Sequence, residues 1–210
     1  MRLAPEGKNI IFFILIILII ISSLVLFEVV SAFAIMPFLI LLTFCVNFFR
    51  DPHRIPPIGE NQIVSPADGK IINIETIDHK FGEMHVISIF LNVFDVHVNR
   101  MPINGSFSKL DYKKGEFLLA FDHNAANKNE RNEIEIETKI GKIKIIQIAG
   151  LVARRIICYA KKNEEMGMGE RLGFMLFGSR IDLLIPSTTN INVRLGQKVM
   201  GNTTIIATFD

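Results

Sequence analysis

The sequence predicts a mainly β (α+β) domain with lipoyl-like, barrel-sandwich features, preceded by an N-terminal hydrophobic helical hairpin. Three observations carry that prediction: one long apolar region near the start, a succession of short alternating or β-branched segments after it, and glycines that punctuate the last strands.

The apolar region runs from Asn9 to Phe49, "NIIFFILIILIIISSLVLFEVVSAFAIMPFLILLTFCVNFF", with Glu28 its only charge. Roughly forty apolar residues is about twice what one bilayer crossing needs, so two crossings fit, with a tight turn near Glu28. A signal peptide is the competing reading, because Arg2 and Lys8 precede the run and "SAFA" (Ser31 to Ala34) resembles a cleavage site. Against it, a second apolar run follows at once and ends in "FFRDPHR", whose Arg50, His53 and Arg54 suit a headgroup layer. Basic residues flank both outer ends, which places both on the cytoplasmic side of the cell membrane, whether the hairpin spans the bilayer or embeds from one face. Residues 1–49 are thus expected as a membrane-associated hairpin and residues 50–61, "RDPHRIPPIGEN", as a linker without helical or strand period. Residues 62–210 are expected as the globular domain.

In that domain "GKIINIETI", "HVISIFL", "RIDLLIP" and "INVRLGQKVMGNTTIIATF" read as strands. "EIEIETKIGKIKI" reads as a hairpin, since Glu133, Glu135 and Glu137 alternate with apolar residues before Gly141 and the period of two resumes after it. "GLVARRIICYAKK" is ambiguous between helix and strand. Gly196 and Gly201 punctuate the closing strands as they do in small lipoyl-like sandwiches, which by itself indicates architecture only.

Composition excludes several functions. A net charge of +2 is too small to indicate nucleic acid. Cys45 and Cys158 are too few and too scattered for a disulfide framework or a metal site. No zinc spacing, P-loop or dinucleotide fingerprint is found.

Three residues able to move protons or attack carbonyls stand out: Asp68 in "SPADGK", His97 in "FDVHVNRMP" and Ser179 in "FGSR". Each also has a structural reading, as a turn aspartate, a strand histidine and a bulge next to glycine. A serine-hydrolase elbow is unattractive, because Ser179 is followed by "RIDLLIP", a strand. A Ser–Lys pair at Ser106 and Lys109 is unattractive, because it follows "NG" in a polar turn.

Taken together, "FFRDP" after an apolar region, "SPADG", "DVHVNRMPING", "KNERN", "GERLGFMLFGSR" and a closing "V..G..V.....IIA" resemble phosphatidylserine decarboxylase, specifically its short form, over nearly the whole chain. The resemblance implies a proenzyme that cuts itself between Gly178 and Ser179. The Ser179 hydroxyl attacks the Gly178 carbonyl, whose approach a glycine leaves open, and the acyl group moves from nitrogen to oxygen. β-Elimination then expels the Gly178 carboxylate and leaves dehydroalanine, which tautomerises to an imine that water hydrolyses, releasing ammonia and leaving a covalent pyruvoyl group at position 179. That ketone can form a Schiff base with the amine of phosphatidylserine and accept the electrons released with carbon dioxide. The implied products are a large β chain (1–178) and a small α chain (179–210) held as a heterodimer, with higher oligomers left open.

The resemblance offers Asp68 and His97 as partners of Ser179. Longer family members carry a second histidine three residues after the first and use it in their relay; here that position is Arg100. His97 therefore either takes the base role or donates the proton that quenches the decarboxylated carbanion. "HNAANKNERN" (His123 to Asn132) corresponds to a loop near the site that could help bind headgroup, and Arg154, Arg155, Lys161 and Lys162 could face anionic lipid, though a solvated cluster is the ordinary explanation. The rival from another class is a membrane-tethered lipoyl-like adaptor without catalytic activity, for which "FGSR" and "DVHVNR" would be accidents.

Overall fold

The computed structural model describes residues 2–59, 61–115, 129–150, 156–176 and 178–210. The chain divides into two compact units, Met1–His53 and Arg54–Asp210.

In the first unit β1 (Arg2–Leu3) leads into helix α1 (Pro5–Leu26), and helix α2 (Met36–Phe48) leads into β2 (Arg50–Asp51), which pairs antiparallel with β1. Pro5 sits in the first turn of α1, where its missing N–H costs nothing. The buried residues of α1, Gly7, Ile11, Ile14 and Leu18, recur every three or four positions and form one stripe; Phe12, Phe13, Ile19 and Ile20 are exposed. A 22-residue helix is about 33 Å long, enough for the hydrocarbon core of a bilayer. The 13 residues of α2 reach only about 20 Å. Among the described residues α1 is the helix long and apolar enough to cross a membrane, and Ala32–Phe48 is a shorter apolar segment. The turn falls where it was expected, with Glu28 at a left-handed φ of 57°, and residues 27–31 and a 3-10 turn (Ala32–Ile35) separate the two helices.

The second unit runs through β3 (Gln62–Val64), β4 (Gly69–His79), β5 (Gly82–Leu91), β6 (Val98–Arg100), β7 (Gly105–Lys113), β8 (Arg131–Thr138), β9 (Gly141–Ile148), β10 (Ile156–Cys158) and β11 (Glu165–Met166). It continues through β12 (Arg171–Met175), β13 (Ser179–Pro186), β14 (Asn190–Ile191), β15 (Lys198–Val199) and β16 (Ile205–Thr208). The domain is mainly β, as expected. Of the ambiguous segment, Ile156–Cys158 is strand, and residues 151–155 lie outside the described ones.

One sheet of eight strands, in the order β11-β7-β8-β9-β13-β5-β4-β15, dominates. All its pairings are antiparallel, and bulges between Ile71 and Asn73 and between Phe107 and Lys109 bend it. Two three-stranded sheets, β10-β12-β6 and β14-β16-β3, accompany it. The expected Glu133–Ile145 hairpin is β8 and β9, joined at Gly141.

Alternation divides the large sheet into two faces. Ile87, Ile89, Ile134, Ile145, Ile181 and Leu183 turn to one side and belong to the main core. Arg180, Asp182, Lys144, Glu133 and Glu135 turn to the other. Register fixes which strand ends lie together: Arg131 faces Ile148, Ile148 faces Arg180, Arg180 faces Phe90, and Phe90 faces Lys70. At that end of the sheet β13, β4 and β8 begin while β5, β9 and β7 finish.

Candidate active site

Ser179 is the first residue of β13 and pairs with Leu91 at the last position of β5. It lies on the same face as Ile181 and Leu183 and is fully buried, and its Oγ has no hydrogen-bond partner among the described residues. A buried hydroxyl left unpaired costs about 1–3 kcal/mol, so the fold tolerates a cost at this position that an alanine would avoid. The preceding Gly178 has φ 64°, in the left-handed region. An added Cβ would meet nothing within 4 Å outside its chain neighbours, so the left-handed conformation is itself a reason for glycine here.

His97 follows β5 by six residues and is also fully buried. Its Nδ1 lies 2.9 Å from the backbone oxygen of Asp95. A carbonyl can only accept, so Nδ1 carries the proton and Nε2 is the accepting nitrogen of the neutral ring. The carbonyl of His97 accepts from Met175 N–H at 3.1 Å, tying the histidine to the strand that leads toward Ser179.

Asp68 directly precedes β4 and so stands at the same end of the sheet. Arg54 grips its carboxylate with both terminal nitrogens, Nη1 on Oδ1 and Nη2 on Oδ2 at 2.8 Å, and the N–H of Gly201 also donates to Oδ1 at 2.8 Å. Nη1 further bonds the Gly201 carbonyl at 3.0 Å, and Asn202 Nδ2 donates to the Arg54 carbonyl at 2.8 Å. The fold thus gathers Ser179, His97 and Asp68 at one sheet end. It does not link them by hydrogen bonds: those of Asp68 go to Arg54 and Gly201, and the Oγ of Ser179 has none among the described residues.

Several residues at this end were not singled out from the sequence. Asn99 Oδ1 accepts from Gln147 Nε2 at 2.8 Å, Gln147 Oε1 accepts from Asn132 Nδ2 at 3.0 Å, and all three are buried. This amide chain crosses from β6 to β9 to β8. A Cβ on Gly173 would collide with the Ile157 carbonyl and stand 3.1 Å from Gln147 Nε2, so the close approach of β12 requires that glycine. Beyond Asn132 a cavity of about 270 Å³ is lined by Leu110, Tyr112, Ile156, Cys158 and Ala160. Burial pushes the Cys158 thiol up, although contacts with Ala160 and Asn132 oppose the shift, which favours the thiol over the thiolate. A larger cavity of about 890 Å³, lined by Gln62, Asn104, Lys139, Glu165 and Glu170 among others, lies at the opposite end of the sheet beside the start of β7.

Arg100, where longer relatives are expected to carry histidine, donates from Nη1 to the Gly169 carbonyl at 3.0 Å. Of the loop expected near the site, Asn129 is buried and donates from Nδ2 to the Ala149 carbonyl at 2.9 Å; residues 123–128 lie outside the described ones, as do Arg154 and Arg155. Lys161 pairs with Glu164 at 3.1 Å on an exposed turn.

As a class, this is a β-sheet enzyme that keeps its candidate nucleophile inside the fold. Residues 41–207 match the family model for phosphatidylserine decarboxylase, and the chain belongs to that family. It is 45% identical over 174 residues to a phosphatidylserine decarboxylase proenzyme of Burkholderia lata, covering 81% of each chain. It is 44% identical, with the same coverage, to a protein of that name from Burkholderia cenocepacia strain HI2424. The protein is a carboxy-lyase that converts phosphatidylserine to phosphatidylethanolamine, which decides against a non-catalytic adaptor.

Proposed function

We propose that the chain is a self-processing precursor in which Ser179 cuts the Gly178–Ser179 bond and becomes a covalent pyruvoyl group. The observation that carries the proposal is the buried Ser179 hydroxyl without a hydrogen-bond partner among the described residues, directly after a glycine held in the left-handed region. The position suits such a group, since the start of β13 is enclosed, lies on the core face and is fixed by pairing with Leu91. A pyruvoyl carbonyl supplies an electron sink for the pair released when the substrate carboxylate leaves as carbon dioxide.

The chain's own residues have distinct tasks. His97 accepts the Ser179 hydroxyl proton at Nε2, because the Asp95 carbonyl keeps the ring's own proton on Nδ1. Asp68 acts through Arg54 and the Gly201 N–H, holding the entry to β4 in place beside the reacting bond. Arg180 anchors position 179: Nε and Nη2 bond the Asp182 carboxylate at 2.6 and 3.0 Å, and Nη2 bonds Ser88 Oγ at 2.9 Å, all buried on the far face.

Cleavage would leave chains 1–178 and 179–210 as a heterodimer. β13 lies between β9 and β5 at the centre of the large sheet, so the small chain would be an integral strand of its partner. Residues 1–49 would serve the cell membrane, with α1 as the segment long and apolar enough to cross, residues 50–61 would link, and residues 62–210 would form the catalytic domain on the cytoplasmic side. Ser179→Ala tests the reading. It should remain one chain and inactive, because a methyl group can neither attack Gly178 nor become a ketone, whereas Ser179→Cys should process slowly through the same acyl shift. Decarboxylation by uncleaved Ser179→Ala protein would overturn it.

A further inference from the structure

We propose that Phe94 inserts into the bilayer surface and seats the mouth of the Ser179 site on the membrane, with Lys70, Lys114 and Lys198 around it meeting anionic headgroups. The inference rests on the reading that the reaction occurs at the Ser179 end of the sheet.

One exposed phenylalanine means little in isolation. This one is presented by a built turn. Asn92 Oδ1 accepts from Phe94 N–H at 2.8 Å, Asp95 Oδ2 accepts from Asn92 N–H at 2.9 Å, and the Asp95 N–H donates to the Asn92 carbonyl at 3.0 Å. The turn holds the Phe94 ring outward at 67% exposure. It is also continuous with the site. The turn begins one residue after Leu91, which faces Ser179, and the carbonyl of its Asp95 is the group that fixes the His97 ring.

The surroundings share its chemistry. Val199 pairs with Gly69 at the same sheet end, so Met200, 55% exposed, leaves the sheet on the side where β5 finishes. Lys70 and Lys198 are exposed at this end, and exposed Lys114 follows the last residue of β7. Among the described residues the acidic groups there are engaged or covered: Asp95 in its turn, Asp68 by Arg54, and Glu130 by burial. The result is an apolar tip within a positive rim, which complements an anionic bilayer. The substrate supplies the reason for a bilayer partner. Its serine headgroup must reach a buried residue while its acyl chains stay in hydrocarbon, and that requires the mouth to lie at the interface.

The chain contains no tryptophan, so Phe94→Trp in the full-length protein creates a single fluorescent reporter. The variant is reconstituted in phosphatidylcholine–phosphatidylglycerol vesicles, with and without bromine on the acyl chains. Blue-shifted emission quenched by the brominated lipid is expected. Asp78→Trp, exposed at the opposite end of β4, should stay unquenched. In parallel, Phe94→Ser should raise KM for vesicle-borne phosphatidylserine by roughly tenfold while leaving self-cleavage and turnover of dispersed short-chain phosphatidylserine unchanged. Unquenched Phe94→Trp emission, or emission that changes with protein concentration in lipid-free detergent, would overturn the docking edge; the latter would indicate contact between copies. If quenching is found but the chain remains whole and active, the self-cleavage reading fails and the membrane contact stands.

Discussion

Ser179 and Arg180 are neighbours in sequence and opposites in environment. On one face of β13 the serine hydroxyl is buried without a partner among the described residues; on the other the arginine is buried with three hydrogen bonds. The same division runs through the sheet. The core face is apolar until its end, where Gln147, Asn132 and Ser179 replace isoleucines, whereas the far face carries Glu133 bonded by Lys113, Arg131 and Lys144. A poorly satisfied reactive group can persist because residues one position away are fully satisfied and hold the backbone that carries it. Substitutions on the two faces should therefore fail differently, in chemistry on one and in assembly on the other.

The largest effect is expected on the core face. His97→Ala should slow self-cleavage by about 10²–10⁴, the loss typical of a missing general base. Asp68→Asn should slow it less, because the carboxylate's contacts run to Arg54 and Gly201. Electrophoresis reads cleavage and product assays read turnover. Normal maturation of His97→Ala with failed decarboxylation would move His97 to the later step, and normal behaviour in both would remove it from the site.

On the far face, Arg180→Ala leaves the Asp182 carboxylate buried with its ion pair broken, a change that costs about 3–5 kcal/mol. The variant should have cleavage chemistry available but release the small chain at lower urea than the parent, as followed by size-exclusion chromatography. Arg180→Lys should rescue little, since an ammonium cannot reproduce the fork onto Asp182. Unchanged retention of the small chain would show that β13 pairing alone suffices.

The smallest effect concerns pH. Burial raises the Glu133 pKa, but hydrogen bonds from Lys113, Lys144 and Arg131 outweigh it and hold the group at about 2 against an ordinary 4.5. A depressed carboxylate contributes stability that is complete above 4.5 and lost as pH falls toward 2. Glu133→Gln should therefore lower the urea midpoint at neutral pH and flatten its decline over that acid window. A parallel decline in both proteins would show that Glu133 does not carry it.

Much of this arrangement was legible in the sequence. Glu133, Glu135 and Glu137 alternate before Gly141, and they form the expected hairpin because side-chain period and turn chemistry agree there. "FGSR" was distinctive because a polar residue opens an otherwise apolar strand. The partner of Asp68 was not legible, since Arg54 lies in a proline-rich stretch with no period and meets Asp68 only in the folded chain. The group that orients His97 was hidden too, because a backbone carbonyl has no sequence signature. Asn132 and Gln147 left a usable sign, as polar residues at inward positions of strands whose other inward residues are isoleucine, but their pairing depends on register across strands. The bounds of α2 were not legible, because apolar composition does not reveal how many residues a turn consumes.

The central claim, that Ser179 opens the chain and becomes its cofactor, is tested most directly by the intact mass of the purified protein under denaturing conditions. Two species are expected, residues 1–178 ending in a carboxylate and residues 179–210 beginning with a ketone that borohydride reduction makes heavier by two hydrogens. A single species at 23.7 kDa in a preparation that decarboxylates phosphatidylserine would contradict it.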